Sequence, residues 1–116
     1  MHVIDTSALV ALMALEPGAE KVAAALGDAA MSVVNAAETV EVLARKGVSI
    51  AQVTADLDDL DLLWVSPDMD VAVEAGRLAA VKGLSLGDRL CIAQAQALGA
   101  PVLTADRAWA SLNLPV

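Results

Sequence analysis

Short apolar runs alternate with longer stretches of helical periodicity along the chain, and this alternation limits the fold more than any other feature. The runs lie at 3–4, 30–34, 62–65 and 101–104. Each is of strand length, and each is followed by a helical pattern. Strands that alternate with helices build a parallel sheet through right-handed crossovers. Such a sheet is covered on both faces, and a hydrophobic fraction of 58%, drawn mainly from Ala, Val and Leu, suits it. At 116 residues the chain is expected to form a single domain, 1–116, around one core.

The first handover, Val3-Ile4-Asp5-Thr6-Ser7, is the most informative. An apolar run ends in an aspartate and two hydroxyl residues, all good at a helix start. Leu9, Leu12 and Met13 then carry helical spacing through 6–15. Pro17 suits the first position of a short helix over 19–26, stopped by Gly27-Asp28. Asn35, with Glu38 three residues later, has the form of a capping box, which predicts a helix from Asn35 to Arg45-Lys46, closed by Gly47. Helices are also expected over 49–60, 69–82 and 89–98, the last preceded by Ser85 and Asp88 at capping-box spacing. A final short helix is expected from Asp106 around Trp109. Asp56, Asp58, Asp59 and Asp61 read as a solvated face.

Charge and composition exclude several functions. Trp64 and Trp109 are the only aromatic residues, so no aromatic platform for stacked bases exists. A net charge of −8 argues against a large non-specific nucleic-acid surface and favours a basic partner, though it leaves room for a phosphate held through metal ions. The single cysteine, Cys91, permits no internal disulfide and sits in an apolar helical run, as a buried core residue does. No basic segment leads a long apolar one, so no signal peptide is expected. The longest uncharged stretch, 90–105, divides into a helix and a strand and does not read as a membrane span. A cytoplasmic location is the expectation.

Four acids share a property. Asp5, Glu38, Asp88 and Asp106 each lie at or within the first turn of a helix, and three of them follow a strand directly. In a parallel sheet the carboxyl ends of the strands share one edge, which is where open α/β sheets place their ligands. Helix N-termini favour negative charge there. Each acid taken singly is explained as a cap; the helices starting at Ala19 and Ser49 use no such acid, so the carboxylates concentrate at one edge. A cluster of this kind repels itself without a cation, and hard oxygen ligands suit Mg²⁺ or Mn²⁺. Glu41 lies on nearly the same helix face as Glu38 and reads as peripheral to the cluster. Thr6, Ser7, Asn35 and Thr104 read as caps first and as partners of metal-bound water second. Arg89 and Arg107 each follow an acid of the set, and surface ion pairing balances phosphate contact as their reading. His2 reads as a strand residue, not a base.

With these residues placed, the chain resembles the PIN-domain family, and within it the VapC-type ribonuclease toxins of bacterial toxin–antitoxin pairs. The match is carried by Val3-Ile4-Asp5-Thr6-Ser7-Ala8-Leu9, Ser32-Val33-Val34-Asn35-Ala36-Ala37-Glu38, Leu84-Ser85-Leu86-Gly87-Asp88-Arg89 and Pro101-Val102-Leu103-Thr104-Ala105-Asp106-Arg107. The resemblance implies a three-layer α/β/α fold on a parallel sheet. It implies an Mg²⁺- or Mn²⁺-dependent endoribonuclease whose acidic quartet matches Asp5, Glu38, Asp88 and Asp106. It further implies a homodimer neutralised by a cognate antitoxin. Two departures concern the sheet edge: a fifth short strand is expected to be reduced or absent at 112–116, and the segment between Val65 and Leu84 is shorter than usual.

Metal-assisted hydrolysis of an RNA phosphodiester is therefore the expected chemistry. The alternative is a catalytically inactive PIN-like interaction module. A third reading, with Asp5 as a phosphoryl-transfer nucleophile, lacks the second aspartate two positions on that the haloacid dehalogenase family carries, since Ser7 stands there. A dinucleotide-binding reading fails because no glycine follows the first strand.

Overall fold

In the computed structural model, which describes residues 1–106, four parallel strands form one sheet in the order β3-β2-β1-β4. The strands are β1 (His2–Ile4), β2 (Ala29–Ser32), β3 (Leu63–Val65) and β4 (Val102–Leu103). Six α-helices accompany them among the described residues: α1 (Thr6–Met13), α2 (Ala19–Ala25), α3 (Val33–Arg45), α4 (Ile50–Asp58), α5 (Met69–Arg77) and α6 (Leu86–Leu98). This is the three-layer α/β/α arrangement expected. The last short helix around Trp109 and any fifth strand lie outside the described residues.

The pleat of the sheet sorts the core into its two faces. Val3 and Val102, paired in register, pack with Val71, Ala75 and Leu78 of the α5 region and with Cys91, Ile92 and Ala95 of α6. Ile4 and Leu103, the next pair, pack on the opposite side with Ala8 and Leu9 of α1, Val22 of α2 and Met31. A third group, Val10, Leu43 and Val53, closes the contact of α1 with α3 and α4. Cys91 is fully buried, as expected of a core cysteine.

Several boundaries differ from expectation. Helix α3 starts at Val33, and its N-cap is Ser32, whose Oγ accepts from the Val34 amide at 3.2 Å. Asn35 is therefore not the cap; it sits inside the first turn. Val33 and Val34 look like a continuing strand, but the β2 ladder ends where Ser32 pairs with Val65. Gly18, at φ 94°, caps α2, so Pro17 precedes the cap instead of opening the helix. Helix α5 ends at Arg77 and tightens into a 3₁₀ turn over Leu78–Ala80, short of the expected residue 82. Helix α6 begins three residues before the expected Arg89, and there the capping box of Ser85 and Asp88 is present with both bonds.

This topology locates a crevice. From β1 the chain moves outward to β2 and β3, then crosses back to place β4 on the other side of β1. The order reverses between β1 and β4, and such a switch point leaves an opening beyond the carboxyl ends of the strands. Asp5 follows β1 there, and Thr104 follows β4.

Candidate active site

Asp5 is the most deeply placed acid of the crevice. Its backbone leaves the strand at φ −88°, ψ 172°, and its Oδ1 accepts from the Ala8 amide at 2.8 Å, capping α1. The residue is 3% exposed. Ser7 Oγ lies 2.9 and 3.0 Å from its two oxygens, and Thr104 Oγ1 donates to Oδ2 at 2.6 Å. The hydroxyls are in turn held by backbone: the Ala105 amide donates to Ser7 Oγ and the Asp106 amide to Thr104 Oγ1, each at 3.0 Å. Two relays thus run from the turn after β4 onto one carboxylate. Burial pushes the Asp5 carboxyl above its ordinary value of 3.8; the bonds from Thr104, Ala8 and Ser7 oppose that rise, and the charge of Asp88 adds to it.

Glu38 reaches the same crevice from α3. Its Oε1 accepts from Thr6 Oγ1 at 2.7 Å and from Asn35 Nδ2 at 2.8 Å. Asn35 is 1% exposed, and its amide also donates to the Gly87 carbonyl at 3.2 Å, tying α3 to the first turn of α6. The Glu38 carboxylate lies directly over Gly87, in space that a Cβ at that position would occupy. Asp88 follows, with Oδ2 accepting from the Ser85 amide at 3.0 Å. Thr6, Ser7 and Thr104 thus donate straight to carboxylates, beyond the capping that the sequence suggests for them.

Asp5, Glu38, Asp88 and Asp106 all line one open cleft of about 590 Å³, together with Glu16, Glu41, Arg45 and Lys46. The crowding is registered at Cys91 behind it. Burial, then the charges of Asp5, Asp88 and Glu38, push that thiol above its usual range. Among the described residues, however, no three acids, histidines or cysteines converge closely enough to form a finished metal-holding group. The carboxylates of Asp5, Glu38 and Asp88 are instead held by donors of their own, which offset the repulsion between like charges. The donor chemistry still fits a hard divalent ion: the acids and neighbouring hydroxyls offer only oxygen.

Two other charged residues near the acids have partners of their own. Arg89 is turned from the cleft, its Nη1 donating to the Ala75 carbonyl at 3.2 Å. Glu41 lines the cleft and is paired with Arg45 at 3.8 Å. Arg107 lies outside the described residues. Sequence reasoning missed Gly87, Glu16 and the cleft position of Arg45 and Lys46. For Gly87 a signal was present, a glycine inside the first turn of a capped helix, where helix propensity disfavours it.

Comparison with known proteins agrees with this architecture. No curated protein matches the chain by sequence. Among solved structures it is similar to a chain in a toxin–antitoxin complex from Klebsiella pneumoniae, at 21% identity and a TM-score of 0.78, covering 99% of this chain and 93% of that one. It is also similar to VapC20 of Mycobacterium tuberculosis, described as a sarcin–ricin loop cleaving toxin, at 16% identity and a TM-score of 0.77, covering 96% and 94%. The model of the PIN domain matches residues 2–113, nearly the whole length, and the chain belongs to the PIN-domain family.

Proposed function

We propose that the protein is an Mg²⁺- or Mn²⁺-dependent endoribonuclease, the toxin of a toxin–antitoxin pair. The observation that carries this reading is the meeting of Asp5, Glu38, Asp88 and Asp106 in one cleft at the switch point of a PIN-domain sheet. The two similar structures support it, one being part of a toxin–antitoxin complex and the other an RNA-cleaving toxin. In this reading Asp5, Asp88 and Asp106, with Glu38, hold the ion. A divalent ion there supplies Lewis-acid polarisation of a phosphodiester and of an attacking water. The chain's own contribution is positioning: Ser7 and Thr104 orient Asp5, Thr6 and Asn35 orient Glu38, and Ser85 orients Asp88.

The partners follow from the same reading: an RNA substrate, a cognate antitoxin, and a second copy of the chain. A homodimer gives exposed apolar side chains a place to be buried, such as Met69 and Val73, one turn apart on α5. Cytoplasmic location belongs to the proposal as well; among the described residues no helix is long and apolar enough to cross a membrane. The test is RNA cleavage with and without Mg²⁺ by the wild type, Asp5→Asn and Asp88→Asn. The expected outcome is metal-dependent cleavage by the wild type and its loss in both variants. Full activity in both would refute the site assignment. A pure interaction module would neither cleave RNA nor respond to Mg²⁺.

A further inference from the structure

We propose that Arg45 and Lys46 form a substrate subsite that takes a backbone phosphate of the RNA strand adjacent to the one cut at the acids. The inference rests on the nuclease reading and extends it along the cleft. Glu38, Glu41, Val42 and Arg45 fall at i, i+3, i+4 and i+7 on α3, and all four line the cleft, as does Lys46 beside them. One face of this helix therefore runs from a carboxylate at the switch point to two cations. Seven residues of helix span about 10.5 Å. That is more than a single phosphate group covers, so the cations meet a different phosphate from the one at the acids.

The charge balance of the cleft gives these two residues their role. Six acids line it: Asp5, Glu16, Glu38, Glu41, Asp88 and Asp106. Arg45 and Lys46 are the cations among its described lining residues, and Arg89 is turned to the Ala75 carbonyl. In a chain of net charge −8, a polyanionic strand meets attraction from the described cleft side chains at this end. The resting ion pairs are loose. Arg45 stands 3.8 Å from Glu41 and Lys46 stands 3.6 Å from Glu16, well beyond the roughly 2.7–2.9 Å of a committed charge-assisted bond. Their side chains are 69% and 47% exposed. Most of the Arg45 fork and the Lys46 ammonium donors thus stay available to phosphate oxygens. RNA is favoured over an acidic protein segment because it repeats its charge along the strand. A strand with one phosphate at the acids carries the next along α3 to the cations.

The test is binding of a single-stranded RNA oligonucleotide of mixed sequence, in Mg²⁺, measured over a range of salt in an Asp5→Asn background so that the strand stays intact. Arg45→Ala and Lys46→Ala are each expected to weaken binding and to flatten the plot of log affinity against log salt by about 0.7 for each phosphate no longer neutralised. Arg45→Lys is expected to keep the slope. Glu16→Gln, which frees Lys46, is expected to tighten binding several-fold, whereas a merely structural ion pair would loosen it. An unchanged slope in both alanine variants, with RNA still cleaved by the wild type, overturns the subsite and leaves the nuclease reading standing. A wild type that neither binds nor cleaves RNA overturns both.

Discussion

Replacing Gly87 by alanine tests the site at its tightest contact. Gly87 is buried in the first turn of α6 and has no left-handed backbone angle, so alanine brings no backbone strain. In a helix, alanine should even be favoured over glycine by about 1 kcal/mol. Opposing this, the new Cβ falls on the Glu38 carboxylate. That carboxylate is the end of a flexible side chain, and its cheapest escape is to swing out and release the bonds from Thr6 and Asn35. Bonds to a charged acceptor are worth roughly 1.5–3 kcal/mol each, and cleft water recovers part of that. The loss outweighs the propensity gain, and Gly87→Ala should be destabilised by about 2 kcal/mol in urea denaturation. Displacing a positioned carboxylate by an ångström or more should also reduce RNA cleavage on the order of 100-fold. The decisive comparison is the same substitution in a Glu38→Ala background. With the carboxylate gone, Gly87→Ala should become neutral or stabilising, a reversal of sign. A single Gly87→Ala variant more stable than the wild type, with cleavage intact, would refute the reasoning.

Two further expectations follow from burial. A raised Asp5 pKa means that, between its unfolded and folded values, the native chain free of divalent ions binds more proton at this residue than the unfolded chain does. Its contribution to stability is present below about 3.8 and is lost as pH rises through the folded value. Asp5→Asn keeps a competent helix cap, so in chelator-treated buffer it should melt above the wild type at pH 7. The gap should close as pH is lowered toward 4, and a variant that melts lower at neutral pH contradicts the desolvation account. Cys91 is fully buried with its thiol held in the protonated form by burial and by nearby carboxylates. A thiol reagent should leave it untouched in the folded protein and label it in denaturant; fast labelling under native conditions would count against this placement of α6.

The convergence of the four acids in one cleft was more legible in the sequence than the element boundaries. Strand and helix alternation sufficed for a parallel sheet, and acids placed after strands pointed to one edge of it. The start of α3 is easily misplaced because two polar residues, Ser32 and Asn35, both suit a cap, and Val33-Val34 between them suits a strand. Sheet pairing, which ends at Ser32, decides between them, and pairing is a long-range fact. The difference spans three residues, nearly a helical turn, so Glu38 remains on α3 while Asn35 changes from a cap to a brace. The bonds to Asp5 from Thr104 and to Glu38 from Thr6 join residues 99 and 32 apart in the chain. No local pattern records them. The position of Arg45 and Lys46 was hidden for another reason: basic residues in a last helical turn already have a sufficient local explanation.

The relay that ends on Asp5 ties the start of the chain to the last strand described. Asp5 leaves the first strand, yet its shortest hydrogen bond comes from Thr104, after the last strand described. Among the described residues that strand pairs only with β1. Without residues 102–104 the first carboxylate lacks the hydroxyl that makes its shortest bond. On the nuclease reading, the two ends of the described fold are needed together: a chain cut before residue 102 is expected to be inactive, because Asp5 then lacks the bond from Thr104.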